Sequence, residues 1–390
     1  MKYDRSFFDA GIPRRGSRSV KWDAASFCGP DDLPMWVADW DFRCAEPIVE
    51  ALKQRAEHAC YGYSYPDPND QEAFCGYWLR RHQLAIRPEQ TCMLPCVVTG
   101  LRQAVLTFTA PGDSVLIMTP VYGPFRDAVL RSGRIAAAAA MRREADGRYC
   151  LDFDAIEDHL KQGVKLILFC NPHNPVSRAW SREELSRLVQ LALSYHAVLI
   201  SDEIHADFVY SPLTFHPMLS IPGADACTVM LAAASKTFNI PGLQQAMCVS
   251  FNKALLKALS DQIEMQGITS GNVFALPATQ AAYTLCDDWL DGMIAYLEES
   301  RSILSREIAR RLPQARLTPI DATALCWIDL SAYAPTCEQL DKKLRVAHLV
   351  LNRGTDFGAP DGEGFMRLNF ACPHSSLSEG LNRLEAAMKK

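Results

Sequence analysis

Lys165-Leu166-Ile167-Leu168-Phe169-Cys170-Asn171-Pro172-His173-Asn174-Pro175 is a short apolar run that stops abruptly in amides and prolines. A run of this length, rich in β-formers and bounded by turn residues, reads as a strand buried on both faces. Runs of the same character flank it. They are Val115-Leu116-Ile117-Met118, Ala197-Val198-Leu199-Ile200 and Cys227-Thr228-Val229-Met230-Leu231. Helical patterns lie between them. The clearest is Ser181 to Tyr195, with Leu185, Leu188, Val189, Ala192 and Leu193 on one face and Ser181 with Glu184 as a capping box. Strands alternating with helices predict an α/β domain with a mostly parallel, doubly wound sheet.

The flanking regions differ. Residues 1–45 are irregular and rich in Arg, Asp, Pro and Trp, and are expected to form an N-terminal arm belonging to a smaller domain. Residues 46–286 hold the alternating pattern and are expected to form the large domain. A long helix from about Asp287 to Leu312 stops at Pro313. It opens a region, 287–390, that reads as a linking helix and a small α+β domain built on Leu325–Leu330, His348–Leu351 and Phe365–Phe370. No internal repeat is present. The run Ala136 to Ala140 reads as packing rather than function.

Composition narrows the function. A chain of 390 residues can bury a large core in two domains. The formal net charge of -5 argues against a general nucleic-acid surface. The 14 cysteines show no metal-ligand spacing and are expected to act as small core hydrophobes. Met1-Lys2-Tyr3-Asp4 leads into no apolar run, so no signal peptide is expected. No stretch reaches the roughly 18 apolar residues that a membrane span needs. Many thiols without an export signal predict a cytoplasmic protein.

In an open α/β sheet, ligands sit beyond the carboxyl ends of the strands. There the four runs deliver Tyr122 after Thr119-Pro120-Val121, Asn174 in its proline frame, Asp202 in Ser201-Asp202-Glu203-Ile204-His205, and Lys236 in Ala234-Ser235-Lys236-Thr237-Phe238-Asn239. These are the groups that pyridoxal 5'-phosphate (PLP) requires. A lysine amine forms an imine with its aldehyde. A carboxylate keeps the ring nitrogen protonated, so that the ring draws electrons. An amide can donate to the ring oxygen, and an aromatic face can stack on the ring. Each signal is weak by itself. Asp202 could cap a helix, Lys236 could be a solvated lysine, Asn174 a turn residue and Tyr122 a core residue. Their common placement carries the reading.

The motifs around these residues resemble the fold-type I PLP enzymes, and within them the MalY/PatB cystathionine β-lyase (C-S lyase) family. The likeness runs through Lys21-Trp22-Asp23, Leu33-Pro34-Met35-Trp36-Val37-Ala38-Asp39-Trp40-Asp41-Phe42 and Tyr61-Gly62-Tyr63. It continues in Asp202-Glu203-Ile204-His205-Ala206-Asp207, in Ser235 to Leu243 and in Arg367-Leu368-Asn369-Phe370-Ala371. The Trp-Val-Ala-Asp segment and the Asp-Glu-Ile-His form separate this group from generic aminotransferases, which share the Asn, Asp and Lys.

The resemblance implies roles. Lys236 carries the cofactor and shuttles a proton, and Asp202 pairs with the ring nitrogen. Asn174 bonds the ring oxygen, with His205 close by, Ser235 also binds the cofactor, and Tyr122 stacks on the ring. Val97 and Val98 offer amides to the phosphate. Tyr61 reaches the phosphate of a neighbouring subunit in a homodimer. Arg367 holds the carboxylate of a small amino-acid substrate, beside Asp39, Trp40 and Asn174. The reaction implied is β-elimination from L-cystathionine or a related cysteine S-conjugate. The same groups permit transamination with 2-oxo acids. A regulatory, partner-binding role on a PLP fold is a third reading, although residues 1–45 hold no helix-turn-helix. The pattern is broken at Cys96 and Ser177, where relatives usually have Gly, and at Trp40, where they usually have Met. Gln244 replaces the phosphate-binding Arg frequent in aminotransferases. Cys96 and Ser177 put the local turns in question, because non-glycine residues disfavour positive φ.

Overall fold

The computed structural model describes residues 2–268, 271–358 and 362–389. Its centre is a seven-stranded sheet made of β1 (Thr91–Leu94), β2 (Ser114–Thr119), β3 (Ile135–Ala140), β4 (Leu166–Cys170), β5 (Val198–Asp202), β6 (Thr228–Ala232) and β7 (Ala246–Val249). The strand order is β1-β7-β6-β5-β4-β2-β3. The pairs β3–β2, β2–β4, β4–β5 and β5–β6 are parallel. β7 runs antiparallel to both β6 and β1.

Alternation explains why the strand runs are apolar without a break. Val115 and Ile117 of β2, with Leu166 and Leu168 of β4, enter a core shared with Leu101, Val105, Phe125 and Val129 on one face. Leu116, Met118, Ile167 and Phe169 enter a second core with Ile156, Leu185, Leu188 and Val189 on the other. Successive side chains point to opposite faces, so a sheet covered on both sides asks for hydrophobes at every position. The alanine run is the edge strand β3. Ala137 and Ala139 pack inward while their neighbours stay at least partly exposed.

Helices α1 (Val97–Phe108), α2 (Gly123–Leu130) and α3 (Arg182–Ser194) follow β1, β2 and β4. Ser181 caps α3 by accepting from the Glu184 amide at 3.2 Å, and the Glu184 carboxylate accepts from the Ser181 amide at 2.8 Å. Lys236 rides on the one-turn helix α4 (Ala234–Thr237) that leaves β6. The long helix α5 (Asp287–Arg311) ends just before Pro313.

Beyond α5, β8 (Arg316–Leu317), β9 (Leu325–Asp329), β10 (Asn352–Arg353) and β11 (Phe365–Asn369) form a second, antiparallel sheet in the order β8-β9-β11-β10. Leu33–Pro34 pairs in parallel with Leu349–Val350. The Asn369 amide donates to the Met35 carbonyl at 2.8 Å. The N-terminal stretch therefore lies along this second sheet and reaches the carboxyl ends of the first. Among the described residues no helix is long and apolar enough to cross a membrane, and no cluster of His, Cys, Asp and Glu could hold a metal ion.

Candidate active site

The carboxyl ends of β2, β4, β5 and β6 surround a cavity of about 280 Å³. Val97, Val98, Tyr122, Asn174, Asp202, His205, Ser235, Lys236 and Arg367 all line it. Nine expected site residues, drawn from six stretches of chain, thus meet in one space.

Lys236 is the half-buried base of this cavity. Its ammonium donates to the Ala38 carbonyl. Burial pushes its pKa down to about 8, against the opposing pull of Asp39 and Asp202. Asp202 ends β5. Burial raises its carboxyl to about 7, and the Ile204 amide, donating to Oδ1 at 3.1 Å, offsets part of that. Among the described residues Asp202 makes no ion pair, so the cavity presents a desolvated carboxylate that lacks a cation.

Arg367 enters from β11. Its Nη1 donates to Asn174 Oδ1 at 2.9 Å. Its Nη2 donates to the Trp36 carbonyl at 2.8 Å and to Asn352 Oδ1 at 2.6 Å. The guanidinium lies 4.6 Å from the centre of the Phe357 ring. Its Nε has no hydrogen-bond partner, and burial pulls the group down to about 10. Every neighbour it bonds is neutral. This is a buried cation prepared for an anion rather than half of a surface ion pair.

His205 is buried with an unpartnered Nδ1, and burial lowers it to about 3, so the ring is neutral. The backbone amide of Tyr122 donates to the Asn174 carbonyl at 3.1 Å. At the start of α1, Cys96 occupies the cap position without a side-chain cap bond. The first amides of that helix are left to whatever anion the cavity takes.

Three expected site residues lie elsewhere. Trp40 does not line the cavity. It is fully buried, its indole N–H donates to the Lys236 carbonyl at 2.5 Å, and its ring meets Phe208 edge-on at 5.7 Å. Asp39 is held by both terminal nitrogens of Arg14 at 2.9 and 2.8 Å. It borders a larger neighbouring cleft of about 1210 Å³, which shares Val37, Lys236 and Pro241 with the cavity. Tyr61 is 56% exposed, donates to the Ala56 carbonyl at 2.7 Å, and belongs to a separate cleft with Tyr63 and Tyr65.

The departures from the family pattern also find their places. Ser177 does adopt positive φ, at 56°, and its Oγ bonds the Leu325 carbonyl. Cys96 has φ -162°, an extended conformation that needs no glycine. Gln244 is exposed and outside the cavity. Sequence reasoning passed over Glu203. Its Oε1 accepts from Ser201 Oγ and the Met218 amide, both at 2.8 Å, and from Asn171 at 3.4 Å. Its Oε2 is buried without a partner. The only hint was a second acid directly after Asp202. The Ala38 carbonyl, a backbone group, had no signal at all.

Together these groups describe a ligand. It has an anionic end for the α1 amides, a basic ring nitrogen for Asp202, a polar ring substituent for Asn174 and His205, and an aldehyde for Lys236. PLP has all four, so the residues present fit it.

Known proteins resemble this chain along nearly its whole length. The family model for aminotransferase class I and II matches residues 37–384. The cystathionine beta-lyase PatB of Bacillus subtilis is 40% identical over 98% of this chain and 99% of its own. Protein MalY of Escherichia coli is 31% identical, with 98% of each chain covered. The crystal structure of cystalysin from Treponema denticola, which contains a pyridoxal 5'-phosphate cofactor, superposes with a TM-score of 0.94 at 30% identity, covering 100% of this chain and 99% of that one. On this likeness, which spans nearly the whole chain, the protein belongs to the aminotransferase class I and II family and to the group within it that holds PatB and MalY.

Proposed function

We propose that the protein is a PLP-dependent carbon–sulfur β-lyase that cleaves L-cystathionine or a related cysteine S-conjugate to a thiol, pyruvate and ammonia. The observation that carries the reading is the shared cavity of Lys236, Asp202, Asn174 and Arg367. The likeness to PatB, a cystathionine beta-lyase, favours elimination over amino transfer.

PLP, when bound, supplies an electron sink that makes a Cα proton removable. The residues supply the rest. Arg367 binds the substrate carboxylate and sets the angle at which the amino acid enters. Asn174, already bonded to Arg367, ties that carboxylate site to the ring oxygen of the cofactor. Asp202 would hold the proton on the ring nitrogen. Val97, Val98 and Ser235 receive the phosphate, Tyr122 covers the ring, and neutral His205 stands by the ring oxygen. Lys236, with a pKa of about 8, is a base that takes a proton near neutral pH and can return it.

The working unit in this reading is a cytoplasmic homodimer in which Tyr61 serves the neighbouring site. Its exposure, with that of Tyr63 and Tyr65, supports this, as do 14 cysteines that are all free thiols. A division into 46–286 and 287–390, with 1–45 attached to the latter, is supported by the two separate sheets and by the pairing of Leu33–Pro34 with Leu349–Val350.

The test supplies L-cystathionine without any 2-oxo acid and follows pyruvate and free thiol together. Equal amounts of both are expected. Silence under those conditions, with amino transfer once 2-oxoglutarate is added, would replace the lyase with an aminotransferase.

A further inference from the structure

We propose that Trp40 is a positioning residue for Lys236, its indole N–H gripping the lysine's own carbonyl and so fixing the backbone from which the amine swings. The proposal rests on Lys236 being the cofactor lysine.

Helix α4 is a single turn, and a helix that short has little stability of its own. The next amides of the chain meet its carbonyls: Ala234 accepts from Phe238 at 2.9 Å, Ser235 from Ile240 at 3.0 Å and Lys236, weakly, from Asn239 at 3.4 Å. Three groups outside the helix add to these. Thr237 Oγ1 donates to Asp207 Oδ2 at 2.6 Å. Asn239 Nδ2 donates to the Trp40 and Phe42 carbonyls at 2.9 and 3.1 Å, and the Trp40 amide returns a bond to Asn239 Oδ1 at 2.9 Å. The Trp40 indole completes the set by reaching the Lys236 carbonyl.

A fully buried indole N–H needs a partner, and a thioether or phenyl ring at position 40 could not donate. The same stretch of chain also holds the other end of the lysine, since the Ala38 carbonyl accepts from its ammonium. Residues 38–40 thus grip Lys236 at both ends. With the backbone pinned, the four-carbon stem leaves the amine a choice between the Ala38 carbonyl and the cavity. Its partial burial there keeps the amine a weaker base than a free lysine. A loosened backbone lets it reach water and bind its proton more tightly.

The experiment uses the full chain stripped of cofactor. Two readouts are taken from about pH 6 to 10: the rate at which added PLP is captured, by absorbance, and the rate at which cyanate modifies Lys236, by peptide mass spectrometry. Trp40→Phe removes the donor. Site-specific benzothienylalanine at position 40 removes only the N–H and preserves the ring shape, which covers the case in which Trp40→Phe fails to fold. Both variants should capture PLP about tenfold more slowly at pH 7, with the cyanate midpoint raised by about one pH unit. Wild-type capture and midpoint in the benzothienylalanine protein would overturn the proposal. So would an equal shift in Phe208→Leu, which disturbs the ring packing and keeps the N–H. Lys236→Ala separates the two ideas: undiminished capture there would mean that the lysine assignment itself is at fault.

Discussion

Glu203 follows Asp202 in the chain, yet only Asp202 lines the cavity. Burial raises the Glu203 carboxyl from an ordinary 4.5 to about 8, so at neutral pH it is a neutral acid. The consequence for stability has a definite sign. Below about 4.5 the folded and unfolded chains both hold the proton, and the contribution is whole. As pH rises towards 8 the unfolded chain releases the proton first, and the contribution is lost by the time the folded value is passed. Glu203→Gln, which keeps the accepting oxygen and cannot ionise, should flatten this dependence. Its urea midpoint should match wild type near pH 5 and exceed it at pH 8, by a free energy on the order of a few kcal/mol. Parallel curves for the two proteins would refute the assignment. Residues at this scale were legible in the sequence where chemistry and strand ends coincide, as at Tyr122, Asn174, Asp202 and Lys236. Trp40, Asp39 and Tyr61 were placed by motif alone, and a motif carries no information about which way a side chain turns. Arg14 for Asp39 and the Lys236 carbonyl for Trp40 are tertiary partners that no spacing reveals.

Among the elements, α3 shows how much local sequence can say. Its reciprocal cap, Ser181 with Glu184, was visible as a Ser-x-x-Glu spacing and is present in the structure. Ser181→Ala removes one acceptor from the first turn and should cost about 1 kcal/mol. Hydrogen exchange of the first-turn amides should then quicken by roughly fivefold while exchange in β4 stays unchanged. No local change would mean that the cap contributes nothing. The four apolar runs became β2, β4, β5 and β6 with ends shifted by a residue or two. β1, β3 and β7 escaped notice for separate reasons. β3 is almost all alanine, which favours helix over strand. β1 and β7 have four residues each, too few to establish a period. The antiparallel course of β7 depends on the return of the chain after Lys236, which only tertiary packing decides.

At the scale of the molecule, the proposed sharing of sites makes a countable prediction. Lys236→Ala alone should be inactive, and Tyr61→Ala alone should be impaired. If Tyr61 serves the neighbouring copy, mixing the two proteins under exchange should create hybrid dimers with one intact site each, and roughly a quarter of wild-type activity should return. Activity that stays at the mean of the parents would place Tyr61 with its own subunit. The pairing of the N-terminal stretch with the last sheet has a further consequence during synthesis. Trp36 and Arg367, joined through the Trp36 carbonyl, stand 331 residues apart. At roughly 5–20 residues per second, a ribosome needs on the order of 15 seconds to a minute to cover that distance. For that interval the nascent chain carries Met35 and Trp36 with no β11 to receive them. Residues 38–40 can meet Lys236 well before β11 is made, whereas Met35 and Trp36 must wait for Asn369 and Arg367, so this one stretch is seated in two stages.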